Sequence, residues 1–361
     1  MKILYVVERI NEDFGGSIIN RRNLELLQRL GHEVELYMII PEKQPLLKRL
    51  WEGILDYRIY GGLSFDIIKR IEERLKQSSF DLVFVSYSCY GALVRRLKRH
   101  FPNLRIITFF HNVELNYAYQ ELHTRKNILK VCGRAILTYY AERASVSYSD
   151  KLIVLNQRDA DMIKKIYHRM PDVLLPTSFE DRGAVEMKQL VQTPLKYLFV
   201  GSAFYANVHG IKWFVQQVMP FVKGDLYIVG KGIAEELKDI KGQDRVHVIG
   251  AVENMKQWYM KVDIVVCPIF LGSGMKTKTA EAMMYGKPIV GTTEAFVGYD
   301  VDFEKIGGCF SDAKQAVQIL GDFESHVDKL RDCGTYARKE FVTKYSLESS
   351  LKIMCQVLNF N

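Results

Sequence analysis

Two lysines and a glutamate within one short stretch are the residues of this chain most suited to chemistry. The stretch reads Gly272-Ser273-Gly274-Met275-Lys276-Thr277-Lys278-Thr279-Ala280-Glu281; it follows a strand-like run at 263–267 and opens a helix near Thr277. Small residues ahead of a helix let main-chain N–H groups approach an anion closely, and the helix N-terminus favours negative charge. Lys276 and Lys278 add full positive charges, so the combination suits a diphosphate. Glu281, one turn further in, offers two oxygens to the paired hydroxyls of a sugar. The plainer alternative is a glycine turn followed by a helix with solvated lysines and a surface glutamate. The order G-x-x-x-x-G-K-[ST] is absent, which leaves P-loop NTPase chemistry without support.

The elements that must position these residues alternate almost from end to end. Strand-like runs fall near 2–7, 33–40, 81–86, 104–110 and 151–155, with helical stretches near 17–30, 64–77, 89–100, 124–147 and 157–168. A second series has strands near 195–200, 225–229, 245–249, 263–267, 288–291 and 307–310, with helices near 208–222, 231–240, 253–261, 277–286, 312–322 and 325–343. Such alternation predicts an α/β protein of two Rossmann-like domains facing a shared cleft, with ligands at the carboxyl ends of the strands. The expected division is a first domain over 1–170, a linker over 171–194 containing Pro171, Pro176 and Pro194, and a second domain over 195–344. A last helix, within about 345–361, is expected to pack back on the first domain. With 361 residues, 48% hydrophobic and 25% charged, two buried cores are within reach and disorder is excluded.

The longest apolar runs, such as 264–270, are far shorter than the roughly 20 residues a spanning helix needs. The first residues enter a strand directly, without a signal-peptide cleavage pattern, which points to the cytosol. Six cysteines without a C-x-x-C pair argue against structural zinc and against a disulfide framework. Residues 1–180 carry 28 Lys and Arg against 21 Asp and Glu, whereas 181–361 carry 22 against 21. A basic first half points to an anionic partner or to ordinary surface variation. Basic and apolar residues interleave at 46–51, 93–99 and 125–130, a pattern compatible with peripheral contact at an anionic bilayer or with amphipathic helices packed on a sheet.

The stretch from Gly272 to Val290 resembles the donor-binding segment of family-4 (group 1) glycosyltransferases, which have the two-domain GT-B architecture. The resemblance covers roughly 195–300: Phe199-Val200-Gly201-Ser202 with Asn207, then Tyr227-Ile228-Val229-Gly230-Lys231-Gly232, then Val246 to Val252, then the lysine–glutamate helix. The first domain is similar more loosely, through Gly15-Gly16 after the first strand and His111-Asn112-Val113-Glu114 after the fourth. The resemblance implies that Lys276 and Lys278 hold a nucleotide diphosphate, that Glu281 binds the ribose, and that Ile249, Gly250 and Ala251 border the base. It also places Gly201, Asn207, Ser273, Gly274 and Met275 on the donor side and makes His111 a contact of the donor sugar. The family's first glutamate, eight positions before Glu281, is replaced here by Ser273 in a Gly-Ser-Gly variant, so main-chain N–H groups of 273–276 stand in for that contact. Gly15 and Gly16 would let the first domain approach the donor phosphates without a Cβ in the way. Glu114 either meets an acceptor hydroxyl or caps the next helix.

The expected activity is metal-independent and cofactor-free transfer of a sugar from a nucleotide diphosphate sugar to a glycan or lipid-linked acceptor. The family implies retention of anomeric configuration and a place in surface polysaccharide biosynthesis. Nucleotide diphosphate is a good leaving group, so no dedicated nucleophile is needed. A nucleotide-sugar epimerase of the same architecture is the rival enzyme. A basic nucleic-acid-binding or scaffold protein is the rival of another class, and it has no reading motif here.

Overall fold

The computed structural model describes residues 1–8, 10–11, 15–41, 45, 56, 59–116, 119, 128–184, 194–271 and 275–360. The chain divides into two units, one formed by Met1–Thr177 with Ser350–Asn361 and the other by Ser178–Ser349.

The first unit is built on a parallel sheet of β1 (Lys2–Val7), β2 (Glu33–Met38), β3 (Leu82–Val85), β4 (Arg105–Phe110), β5 (Lys151–Val154) and β6 (Val173–Leu174), in the order β2-β1-β3-β4-β5-β6. Its inner strands are buried along nearly their whole length, as expected when helices cover both faces. Leu4, Val6, Val83 and Val85 meet Ile67, Ile71, Leu93 and Leu97 on one face, while Phe110, Leu152 and Val154 meet Ala160 and Ile163 in another cluster. Helix Phe65–Gln77 is capped by the Ser64 hydroxyl and helix Gln157–Tyr167 by the Asn156 side chain, each satisfying an otherwise unpaired N–H. Winding reverses between β1 and β3, so the loops leaving these two strands diverge and open a crevice at their carboxyl ends.

Strand β6 is an addition to the sequence reading, which gave Val173 and Leu174 to the linker. Its two residues pair with Ile153 and Val154 between Pro171 and Pro176. Residues 171–177 thus belong to the first unit and 178–184 to the second; the rest of the expected linker, 185–193, lies outside the described residues. The last helix, Leu347–Leu358, is shared: 347–349 fall in the second unit and 350–358 in the first, where Lys151 Nζ donates to the carbonyls of Val357 and Asn359.

The second unit carries β7 (Lys196–Val200), β8 (Asp225–Val229), β9 (Val246–Gly250), β10 (Ile264–Cys267), β11 (Ile289–Thr292) and β12 (Gly307–Phe310), all parallel, in the order β12-β11-β10-β7-β8-β9. Tyr197 and Phe199 face one core layer and Leu198 the other. Here winding reverses between β7 and β10, which puts the expected crevice at residues following Val200 and Cys267. The helix expected at 231–240 is only Ile233–Glu236, because Gly232 precedes it in a left-handed conformation and the chain leaves the helix at Leu237.

Candidate functional site

At the switch point of the second unit, two glycines bring backbone segments together. A Cβ on Gly210 would lie 1.8 Å from the Pro268 carbonyl oxygen, so the bare backbone of helix Tyr205–Gln217 sits directly against the loop leaving β10. A Cβ on Gly230 would lie 1.9 Å from the Gly201 carbonyl oxygen, which fixes the approach of the loops after β7 and β8. Asn207 on that helix meets Lys278 as a consequence. Lys278 Nζ donates to Asn207 Oδ1 at 2.6 Å and lies 4.4 Å from the centre of the Phe199 ring. Asn207 Nδ2 in turn donates to the Ser202 carbonyl at 3.0 Å.

Lys278 is 8% exposed, and burial lowers its ammonium to about 8, with neighbouring Lys276 lowering it further against the opposing Cys267 and Glu281. The ammonium is thus still largely protonated near neutral pH. It sits in the first turn of helix Thr277–Met284, whose N-terminus has no side-chain cap. Amides at a helix N-terminus without a side-chain cap, beside a desolvated cation, suit an anion.

Lys276 has a different setting. Its Nζ pairs with Glu294 Oε1 at 2.7 Å, while its carbonyl accepts from the Tyr299 hydroxyl at 2.7 Å. A phosphate reaching Lys276 therefore competes with a carboxylate. Glu281 Oε2 accepts from the Tyr259 hydroxyl at 3.4 Å, and burial raises the Glu281 carboxyl while that hydroxyl and the charges of Arg182 and Lys278 lower it. The half-buried Met275 packs on the core layer containing Tyr259 and Tyr299. Ile249 and Ala251 are exposed at the end of β9, flanking buried Gly250. Gly201 is buried directly after β7; Ser273 and Gly274 lie outside the described residues.

In the first unit, His111 follows β4 immediately, at the carboxyl end of the sheet as expected. Its ring stands edge-on to Phe109, and Nε2 lies 3.0 Å from Ser86 Oγ. Ser86 follows β3 and donates its hydroxyl to Asn20 Oδ1 at 2.7 Å, while Tyr5 donates to the Asn20 carbonyl at 3.1 Å. With its one proton given to Asn20, Ser86 accepts from His111, so the ring proton resides on Nε2 and Nδ1 is left as an acceptor. Burial lowers His111 to about 4, against a hydrogen bond that the ring donates to the Ser86 backbone, which raises it; the imidazole is neutral at physiological pH. Gly15 and Gly16 are the first two residues of helix Gly15–Arg29, so they form a helix N-terminus and not a free turn.

Glu114 is half-buried, and its carboxyl is raised to about 7 by burial first and by Glu142 and Glu8 next, against Arg134. Reading the sequence did not single out Asn20, Ser86, Tyr259, Glu294 or Glu142. Only Ser86 carried a signal, as the residue closing a strand-like run.

The basic stretch 93–99 forms helix Gly91–His100, and it buries Leu93, Val94 and Leu97 in the core. No leucine of that helix is left to enter a bilayer. Arg95, Arg96 and Lys98 pair with Asp56, Glu72 and Asp150 at 3.1, 2.8 and 2.8 Å. This stretch is an amphipathic helix on a sheet, the alternative to membrane contact. Residues 46–51 and 125–127 lie outside the described residues. No helix among the described residues is long and apolar enough to cross a membrane.

Residues 194–312 match the model of a known family. That family is described as glycosyl transferases group 1. The match takes in both switch-point loops of the second unit, from β7 through Asn207 to Lys278, Glu281 and Glu294. Comparison with the curated proteins finds no match. Among solved structures, the chain is similar to sucrose-phosphate synthase from Thermosynechococcus elongatus, at a TM-score of 0.68 and 15% identity over 99% of this chain and 98% of that one. It is similar to HepE of Anabaena, solved in complex with UDP, at 0.67 and 12% over 99% of both chains. WaaG, a glycosyltransferase involved in lipopolysaccharide biosynthesis, gives 0.63 and 15% over 99% and 100%. At these identities the likeness is one of fold: two six-stranded parallel sheets covered by helices, the GT-B class.

Proposed function

We propose that the protein is a group 1 glycosyltransferase that moves a sugar from a nucleotide diphosphate sugar to a glycan or lipid-linked acceptor, with retention, in the assembly of a surface polysaccharide. The observation that carries this reading is Lys278, a buried cation at the mouth of an uncapped helix, held by Asn207 across the switch point inside the segment that matches the family model. A buried ammonium is costly unless an anion or fixed dipoles answer it. Asn207 and Phe199 answer it in part, and a diphosphate would complete the set. HepE, solved with UDP and with UDP-glucose, supports a uridine diphosphate donor as the first to try.

In this reading the bond from the anomeric carbon to the phosphate oxygen breaks, and a new bond forms from that carbon to the acceptor oxygen. The acceptor proton passes to the departing phosphate on the same face. Charge grows on the phosphate during the step, and Lys278 with the first amides of helix Thr277–Met284 stabilises it there. Lys276 shares in this once Glu294 yields it. Glu281 holds the ribose, while Ile249, Gly250 and Ala251 border the base. Neutral His111, with Nδ1 available as an acceptor, receives a hydroxyl of the donor sugar. A lipid-linked acceptor would suit the basic first half of the chain, although helix Gly91–His100 gives that idea no help.

Calorimetric titration with UDP, UDP-glucose and the corresponding guanosine and adenosine nucleotides tests the reading. One nucleotide diphosphate should bind the wild type and fail with Lys278→Ala. Absence of binding by every nucleotide, or equal binding by both proteins, would sink it. Release of free nucleotide that depends on added acceptor separates transfer from epimerisation.

A further inference from the structure

Glu142 has no exposed surface and lies within helix Ile128–Tyr148, and the chemistry above makes no use of it. Its carboxyl is filled from three directions. Oε1 accepts the backbone N–H of Glu114 at 2.9 Å; Oε2 accepts the N–H of Leu115 at 3.2 Å and the Tyr167 hydroxyl at 2.7 Å. Burial pushes this carboxyl up, while Tyr167, Ser88 and the two amides pull it down. Two N–H donors and a phenol aimed at two oxygens fit the acceptor-only carboxylate form. An apolar side chain would join helix to sheet at far lower desolvation cost. What it could not do is hold two successive amides of the chain leaving β4.

Those amides belong to the segment that begins with His111 and carries Glu114. The Glu114 carboxyl makes no hydrogen bond to a described residue, and it stands among several ionisable groups. Glu142 is on the long helix and Glu8 follows β1, both pushing its carboxyl up, while Arg134 on the long helix pulls it down. Tyr60, Tyr87 and Cys89 lie close enough to feel its charge. We infer that Glu142 is a positioning residue, gripping the amides of Glu114 and Leu115 so that Glu114 presents its carboxyl to the acceptor hydroxyl. This rests on the transferase reading above.

The test compares wild type with Glu142→Gln, close to isosteric, and Tyr167→Phe, which removes one donor and leaves the carboxylate in place. Glu142→Gln should raise the acceptor KM about tenfold, the size of one lost hydrogen bond to a charged group, and leave the donor KM within about twofold. The inflection of acceptor KM with pH, which belongs to Glu114, should move to lower pH because a like charge has gone. Tyr167→Phe should shift the acceptor KM in the same direction by less. Amide exchange at Glu114 and Leu115 should quicken in Glu142→Gln, a readout that needs no turnover. Wild-type turnover with an unchanged acceptor KM in a folded Glu142→Gln, or equal shifts of both KM values, would overturn the role of Glu142 alone. Wild-type protein that turns over no nucleotide sugar would overturn the transferase reading and the acceptor-positioning role with it, even where the exchange result still showed the grip.

Discussion

The two units present opposite chemistry at equivalent places. Each gathers its polar residues at the carboxyl ends of a parallel sheet where winding reverses, as the topology of doubly wound sheets requires. In the second unit the centre of the gathering is a buried ammonium, Lys278, with Lys276 beside it. In the first it is a neutral imidazole, His111, with Glu8, Glu114 and Glu142 nearby. In the reading proposed above, one crevice would take an anion that gains charge, and the other would take neutral hydroxyls. The fold supplies the position in both cases, and a few side chains set the sign of the charge.

The sharpest way to break this contrast is Lys278→Met. It should lower kcat/KM by about 10²–10³-fold in a nucleotide-release assay, because the charge opposing the departing phosphate is gone. The same variant should be more stable than wild type at pH 7, by about 1–3 kcal/mol in denaturant titration. The sign follows from a folded pKa of about 8 lying below the ordinary 10.5. The buried ammonium subtracts stability below pH 8, and the subtraction fades as pH rises from 8 to 10.5. Melting curves at pH 7 and pH 10 should therefore differ in the gap between variant and wild type. A variant that loses both activity and stability at pH 7 would mean that Lys278 is a structural residue.

Glu281→Gln should weaken nucleotide diphosphate binding by about tenfold, with little change in kcat at saturating donor. A fall in kcat alone would move Glu281 from the ribose to the reacting centre. Glu114→Gln should raise the acceptor KM about fivefold above pH 7 and remove its inflection near that pH, since a carboxyl raised to about 7 loses its acceptor form below it. His111, held neutral down to about 4, contributes no inflection between pH 5 and 8. An inflection that survives in Glu114→Gln would assign the titration elsewhere. The smallest effect belongs to Glu294→Gln, which frees Lys276 from its ion pair and should tighten UDP binding by about two- to threefold at low salt. Looser binding would show that Glu294 itself supports the ligand.

The alternation of strands and helices was legible because it is written in short-range periodicity, and eleven of the strands lie where the apolar runs place them. Strand β6 was not, since two residues between prolines carry no period. Lys276, Lys278 and Glu281 were legible together because they lie within six consecutive residues at the start of one helix. The ion pair that occupies Lys276 was not, as Glu294 stands 18 residues away beyond another strand. Asn207 and Lys278, 71 residues apart, came together only through likeness to a family and never through spacing. The Asn20–Ser86–His111 chain draws one residue from each of three loops or helices, and nothing local announces it. The stretch 93–99 left two readings open for the opposite reason: a strong local pattern of leucines and cations describes a core-facing helix as well as a membrane-facing one.

The division of the chain also sets an order of assembly during synthesis. The second unit is one continuous run, Ser178–Ser349, whereas the first needs both Met1–Thr177 and Ser350–Asn361. Domains emerging from a ribosome generally fold from the N-terminus onward. Here Met1–Thr177 precedes the second unit but waits for Ser350–Asn361, which follows it, and thus for the carbonyls that receive Lys151 and the Phe360 ring that lies under Arg105 and Lys151. The second domain can close while its partner is unfinished. A nascent chain stalled before Ser350 would therefore hold a complete second unit beside an incomplete first one, and a circularly permuted chain that joins Asn361 to Met1 and opens between Ser349 and Ser350 would reverse that order.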